Sequence, residues 1–174
     1  MQDYYLIYDT ASGDVLMRGT GPAGHAAEVQ SSLPSGQAVL AVPPAALAQS
    51  EINLAIIRTD LAARVDIQAG IFRQQFITTV PGQAETYLYK ANEARAYKAD
   101  GNASVPFLTR EAAARGIAVT ALASEVIAQE AAWIAIGSKI EALRMGAKTN
   151  LAAADSIKDL AAAATVDWQS TLAG

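Results

Sequence analysis

The chain has 174 residues, 52% hydrophobic and 17% charged, too apolar for a disordered segment and long enough to bury a core without a staple. A net charge of −4 with pI near 4.9, and no cluster of Lys and Arg, lead to the expectation of no nucleic-acid partner, because phosphates demand concentrated positive charge. The absence of cysteine excludes disulfides, thiolate zinc sites and cysteine nucleophiles, and suits a reducing compartment.

Much of the apolar total is alanine, which favours helices and buries little area per side chain, so thin and closely packed helices are expected. The opening MQDYYLIYD lacks the basic n-region and apolar run of a signal peptide. No later segment reads as long and uncharged enough to span a bilayer, so no membrane partner is expected.

In chain order, Tyr4 to Tyr8 is aromatic and β-branched, Asp9 to Asp14 is a turn cluster around Gly13, and Val15 to Arg18 is apolar again; the three predict a β-hairpin. His25 to Ser31 could form one or two helical turns, Pro34-Ser35-Gly36 punctuates, and Gln37 to Val42 reads as a third strand. Pro43-Pro44 stiffens the connection and is the expected domain boundary, between a small β-rich appendage over 1–43 and an alanine-rich helical bundle over 44–174. The expected fold class is α+β, mostly α: a small hairpin or three-strand appendage followed by an antiparallel helical bundle.

Ile57, Leu61, Val65, Ala69, Phe72 and Phe76 keep steps of three or four and predict an amphipathic helix, with Asp60 and Arg64 placed to pair. Ile56, Ile67 and Ile71 lie off that stripe, more apolar surface than one facing helix needs; either the bundle or another subunit surrounds it. A second helix is expected to open near Pro81 and stop at Asp100-Gly101-Asn102. Along it Gln83, Tyr87, Lys90, Ala94 and Tyr97 form a stripe with two aromatic bodies and polar handles, readable as a protein-binding face or as ordinary packing.

A short helical pattern follows over Arg110 to Arg115, with Thr109 expected as N-cap and Gly116 as the stop. Thr120 is expected to cap a long helix in which Val126, Trp133 and Ile140 recur at seven and Ile136 and Leu143 continue the second seam, with Gln129 in register. Antiparallel packing against the Ile57 to Phe76 helix is the expectation. Asp155 is expected to cap a last helix through about Ala163, before Val166 and Trp168.

Gly19-Thr-Gly21-Pro-Ala-Gly24 matches G-x-G-x-x-G, yet its strand belongs to a hairpin, Pro22 interrupts it, and no convincing helix opens on the third glycine, so a plain glycine loop is expected and no cofactor. His25, the single histidine, is expected in a solvent-exposed loop. Glu85, Glu93, Glu125, Glu130 and Glu141 show no Glu-x-x-His metal pattern and read as solvated helix charges. With no convergent nucleophile, base and stabiliser, no catalytic or metal-binding residue is assigned and no enzyme is expected.

The hairpin YYLIYDTASGDVL, the strand ending in Pro-Pro, and the helix leading into ITTVPGQAETYLYKANEARAY together resemble small structural proteins encoded among the tail and fibre genes of tailed bacteriophages. The likeness is strongest at Pro81, Gly82, Gln83, Tyr87, Lys90, Glu93, Ala94 and Tyr97 and continues through Trp133, Ile140, Glu141 and Arg144. It implies a non-enzymatic virion component, made in the host cytoplasm and joining tail, baseplate or fibre proteins. Its alternatives are a tail-fibre assembly chaperone absent from the particle and a capsid-decorating or head-fibre protein. Partners would be other virion proteins and further copies of the chain, with a trimer the first guess. Interface residues are expected at Tyr4, Tyr5, Gln83, Tyr87, Tyr89, Lys90 and Tyr97.

Overall fold

The computed structural model describes residues 2–48, 50–77 and 82–172. The protein is α+β and mostly helical, with a three-stranded antiparallel sheet at the N-terminus. The strands are β1 (Gln2–Asp9), β2 (Val15–Pro22) and β3 (Gln37–Ala41), in the order β2-β1-β3. At the hairpin, Asp9 Oδ1 accepts from the backbone N–H of Ala11 and of Ser12, both at 2.8 Å, and Gly13 takes φ 83°; an Asx-type turn is what that turn-forming cluster encodes.

The central strand is buried on both faces, with Tyr5, Leu6, Ile7 and Tyr8 all at or below 8% exposure. Side chains alternate along a strand. Leu6 and Tyr8 enter a core with Leu40, Ile57, Leu61, Val65, Leu151 and Leu160. Tyr5 points to the other face, where helix α1 (His25–Ser32) lies and the His25 ring meets it edge to face at 5.9 Å.

This arrangement explains the glycine motif. A Cβ at Gly19 would lie 2.3 Å from the Tyr5 ring and one at Gly21 would lie 2.2 Å from the His25 ring, so both glycines give way to aromatic rings. Gly24, at φ 92°, starts α1, and Asp3 Oδ2 accepts from the N–H groups of Gly24 (2.9 Å) and Ala26 (3.1 Å). A helix does open on the third glycine, in keeping with the helical turns read over His25 to Ser31 and contrary to the reading of the glycine motif itself, but the protein's own carboxylate caps its N-terminus. His25 is likewise corrected, from exposed loop to a half-buried first helical residue.

By residue contacts the chain forms two compact units, one from residues 1–70 and 141–170, the other from 71–140 and 171–174. The first holds the sheet and α1, most of helix α2 (Leu54–Arg73), the C-terminal part of helix α5 (Val119–Ala153), and helix α6 (Ile157–Ala164). Pro43 and Pro44 lead into a single 3-10 turn over Pro44–Ala46. Ile57, Leu61, Val65, Ala69 and Phe72 are each at most 5% exposed, the outcome the periodicity predicts, whereas Phe76, the last member of that stripe, lies beyond the end of α2 and is 37% exposed. Ile67 and Ile71 stay out, at 61% and 58%.

Within the first unit α2 and α5 run antiparallel. Arg58 donates to the carbonyls of Leu151 and Ala154, both at 2.8 Å, while Asp66, two turns on, receives Arg144 at 2.5 Å and Lys148 at 2.7 Å. The paired cations, hydrogen-bonding Lys148 first, hold the Asp66 carboxyl below its ordinary range, and Glu141 and Asp66 hold the Arg144 guanidinium above its own. Asp60 and Arg64 pair at 2.6 Å as their spacing predicts.

Three caps differ from expectation by small shifts along the chain. α6 is capped by Ser156, whose hydroxyl accepts the Asp159 N–H at 3.1 Å, and not by Asp155. α5 begins at Val119, with Thr120 already inside it. Helix α4 (Pro106–Arg115) starts a turn before Thr109, with Pro106 in its first turn and Gly116 closing it at φ 67°.

Candidate interaction surface

The second unit is built on helix α3 (Gln83–Ala99), α4 and α5 up to Ile140. Gly82, left-handed at φ 80°, precedes α3; Pro81, where the sequence expectation placed the helix start, lies outside the described residues. Its core consists of Ala91, Ala94, Val105, Leu108, Ala112, Leu122, Ala123 and Val126, with Tyr97 packed against it. Alanine at the contacts lets helices approach closely but contributes little buried area.

Charge supplies much of the remaining order. Glu93 on α3 accepts the first α4 amides, Phe107 N–H at 3.2 Å and Leu108 N–H at 2.9 Å. Lys90 donates to Glu111 of α4 at 2.8 Å, and Arg115 reaches Glu125 of α5 at 2.8 Å and Glu111 at 3.2 Å. Arg95 pairs with Glu130 of α5 and also donates to Asn92 at 2.6 Å. The Lys90 hydrogen bond, followed by the weaker Arg115 contact, keeps the Glu111 carboxyl below its ordinary range. The Arg115 guanidinium is raised by Glu125 first and Glu111 second. Glu93, Glu125 and Glu130, read from sequence as solvated charges, are therefore structural partners, as is Glu141, which receives Arg144 at 2.6 Å.

The residues expected at an interface fall into different places. Tyr5 is buried in the sheet and offers no surface; Tyr4 is half-buried beside the first core. On α3, Gln83, Lys90 and Tyr97 are half-buried, Tyr87 is 37% exposed, and Tyr89, at 57%, stacks on Phe107 with ring centroids 5.8 Å apart. The Lys90 ammonium sits 5.4 Å from the centre of the Tyr87 ring.

Tyr87 and Lys90 border a groove of about 400 Å³, whose other walls include Phe76, Leu88, Val126 and Trp133. Its charged lining residues, Lys90 and Glu130, are each committed to a partner, Glu111 and Arg95. The Trp133 ring lies against Gly137, where an added Cβ would come within 3.0 Å of it. Of the seam residues, Val126 and Ile140 are buried as the seven-residue spacing predicts, whereas Trp133, Ile136 and Leu143 are only half-buried and Gln129 is exposed.

From Ile127 to Lys139 no residue of α5 is buried, although the run reads IAQEAAWIAIGSK, and Ile134 is 58% exposed. An apolar helix normally hides such residues. Among the described residues α5 also contains a stretch long and apolar enough to cross a membrane by length and composition, which corrects the expectation that no segment does. Glu125 and Glu130 within it are ion-paired to Arg115 and Arg95. Among the described residues no group of three or more His, Cys, Asp and Glu could hold a metal ion.

Comparison of the chain with protein-family models, with curated proteins and with solved structures returns no match.

Proposed function

We propose that this chain is a non-enzymatic structural protein of a tailed-phage virion, joining tail, baseplate or fibre components through its helical surface. The observation that supports an assembly role is the Ile127 to Lys139 run of α5, thirteen positions without a buried residue in an apolar sequence, beside the aromatic groove that Tyr87 and Trp133 line. Uncovered apolar surface of this kind is what a protein that completes its packing with a partner retains. The phage setting rests on the likeness of the Phe76 to Tyr97 segment to tail and fibre region proteins.

Quantitative mass spectrometry of purified particles of the phage that encodes the chain tests the reading. A copy number of a small multiple of three or six supports a tail or baseplate connector, and hundreds of copies would move the protein to the capsid surface. Absence from the particle would overturn the virion role and favour an assembly chaperone. In solution, Tyr87→Ala is expected to weaken self-association or partner binding by about tenfold with helicity unchanged; sedimentation and circular dichroism read the two separately.

A further inference from the structure

We propose that α4 is a charge-held latch, docked on α3 and α5 through carboxylate contacts, that opens as a local unit ahead of the first unit when those carboxylates are protonated. The latch belongs to the fold of the second unit, whether or not the chain is a virion protein.

The geometry separates α4 from its neighbours in three ways. Its buried side chains are Leu108 and Ala112, with Val105 just before it, while Phe107 remains 43% exposed on Tyr89. Its ends are permissive: the turn of Asp100, Gly101 and Asn102 precedes it, and Gly116 in the left-handed region follows. Besides these apolar contacts, its polar ties to the other helices are ionic or charge-assisted, and each uses a carboxylate: Glu93 with the Phe107 and Leu108 amides, Glu111 with Lys90, and Glu125 with Arg115.

The charged and titratable groups near α4 give acid a consistent direction. Lys90, Glu93 and Tyr89 belong to α3, with Tyr97 and the Arg95 pair to Glu130 further along; Asp100 lies in the connection; Arg110, Glu111 and Arg115 belong to α4 itself and Glu125 to α5. Protonation removes the negative members and leaves Lys90, Arg110 and Arg115 charged. Glu111, held below its ordinary range by Lys90 and then Arg115, stabilises the docked state fully above the ordinary Glu value, and that contribution is lost as pH falls through its lower folded value. Opening uncovers the cluster that α4 completes, including Ala91, Ala94, Leu122 and Val126.

Hydrogen exchange of the full chain, followed by mass spectrometry and corrected for intrinsic exchange rates, tests the latch between about pH 6.5 and about pH 3.5. The expected result is a loss of about tenfold or more in protection for amides of Leu108 to Arg115, with amides of Ala147 to Leu151 in α5 retaining theirs. Simultaneous loss in both segments, or no loss in α4, would overturn the proposal. Glu111→Gln is expected to produce an α4-specific loss of about tenfold at neutral pH; protection equal to the parent would also overturn it. If that variant does not fold, the pH comparison on the unsubstituted chain decides alone.

Discussion

The two units bury their apolar residues by different means. In the first, three of the thirteen residues forming the core cluster are alanine, and the others include Leu6, Ile57, Leu61, Leu151 and Leu160. In the second, four of eight are alanine. Large branched side chains hold a core through area and close packing, whereas alanine contacts leave more of the specificity to the Glu93, Lys90–Glu111, Arg115–Glu125 and Arg95–Glu130 contacts. The lesson is that helices of similar composition need not resist the same perturbation.

Substitution of Ile57, 0% exposed in the first core, should have the largest effect. Ile57→Ala is expected to cost about 3 kcal/mol, measured by urea unfolding, because it leaves a cavity among side chains that cannot fully collapse. Next is the glycine seat: Gly21→Ala places a methyl group against the His25 ring and should cost about 2 kcal/mol. His25→Ala in the same chain should restore part of it; strict additivity of the two would show that the ring contact is not the cause.

Ser156→Ala removes the α6 cap and should cost about 1 kcal/mol in the same assay. Asp66→Asn should have the smallest effect, about 0.5 kcal/mol at neutral pH, since its pairs with Arg144 and Lys148 are partly solvated. The sign of its pH dependence is fixed by its lowered folded pKa. The contribution is complete above the ordinary Asp value and fades as pH falls through the folded value, so the variant and parent stability curves should converge in acid. Convergence at alkaline pH instead would contradict the pairing.

Local patterns made much of the fold legible. The hairpin with its Asp9 turn, the α2 stripe from Ile57 to Phe72, the Asp60–Arg64 pair and the Gly116 stop follow from periodicity and turn chemistry, which act within a few residues. Cap positions moved by one turn or less where neighbouring residues compete for the same role, as Asp155 and Ser156 do. The α3 stripe was legible as a pattern but not in its use. Ala94 is wholly buried, Tyr97 packs on the core and Tyr87 reaches the groove, because helical spacing places residues on one side without saying which neighbour covers them.

The sequence by itself determined the secondary-structure class, most element positions and the apolar side of α2, because backbone preference and side-chain period are local properties. Tertiary structure alone decided that Asp3 caps α1, that Gly19 and Gly21 accommodate aromatic rings, that Glu93 holds the start of α4, and that residues 1–70 form one unit with 141–170. Each of these joins groups brought together by chain folding across sequence separations that no local periodicity encodes.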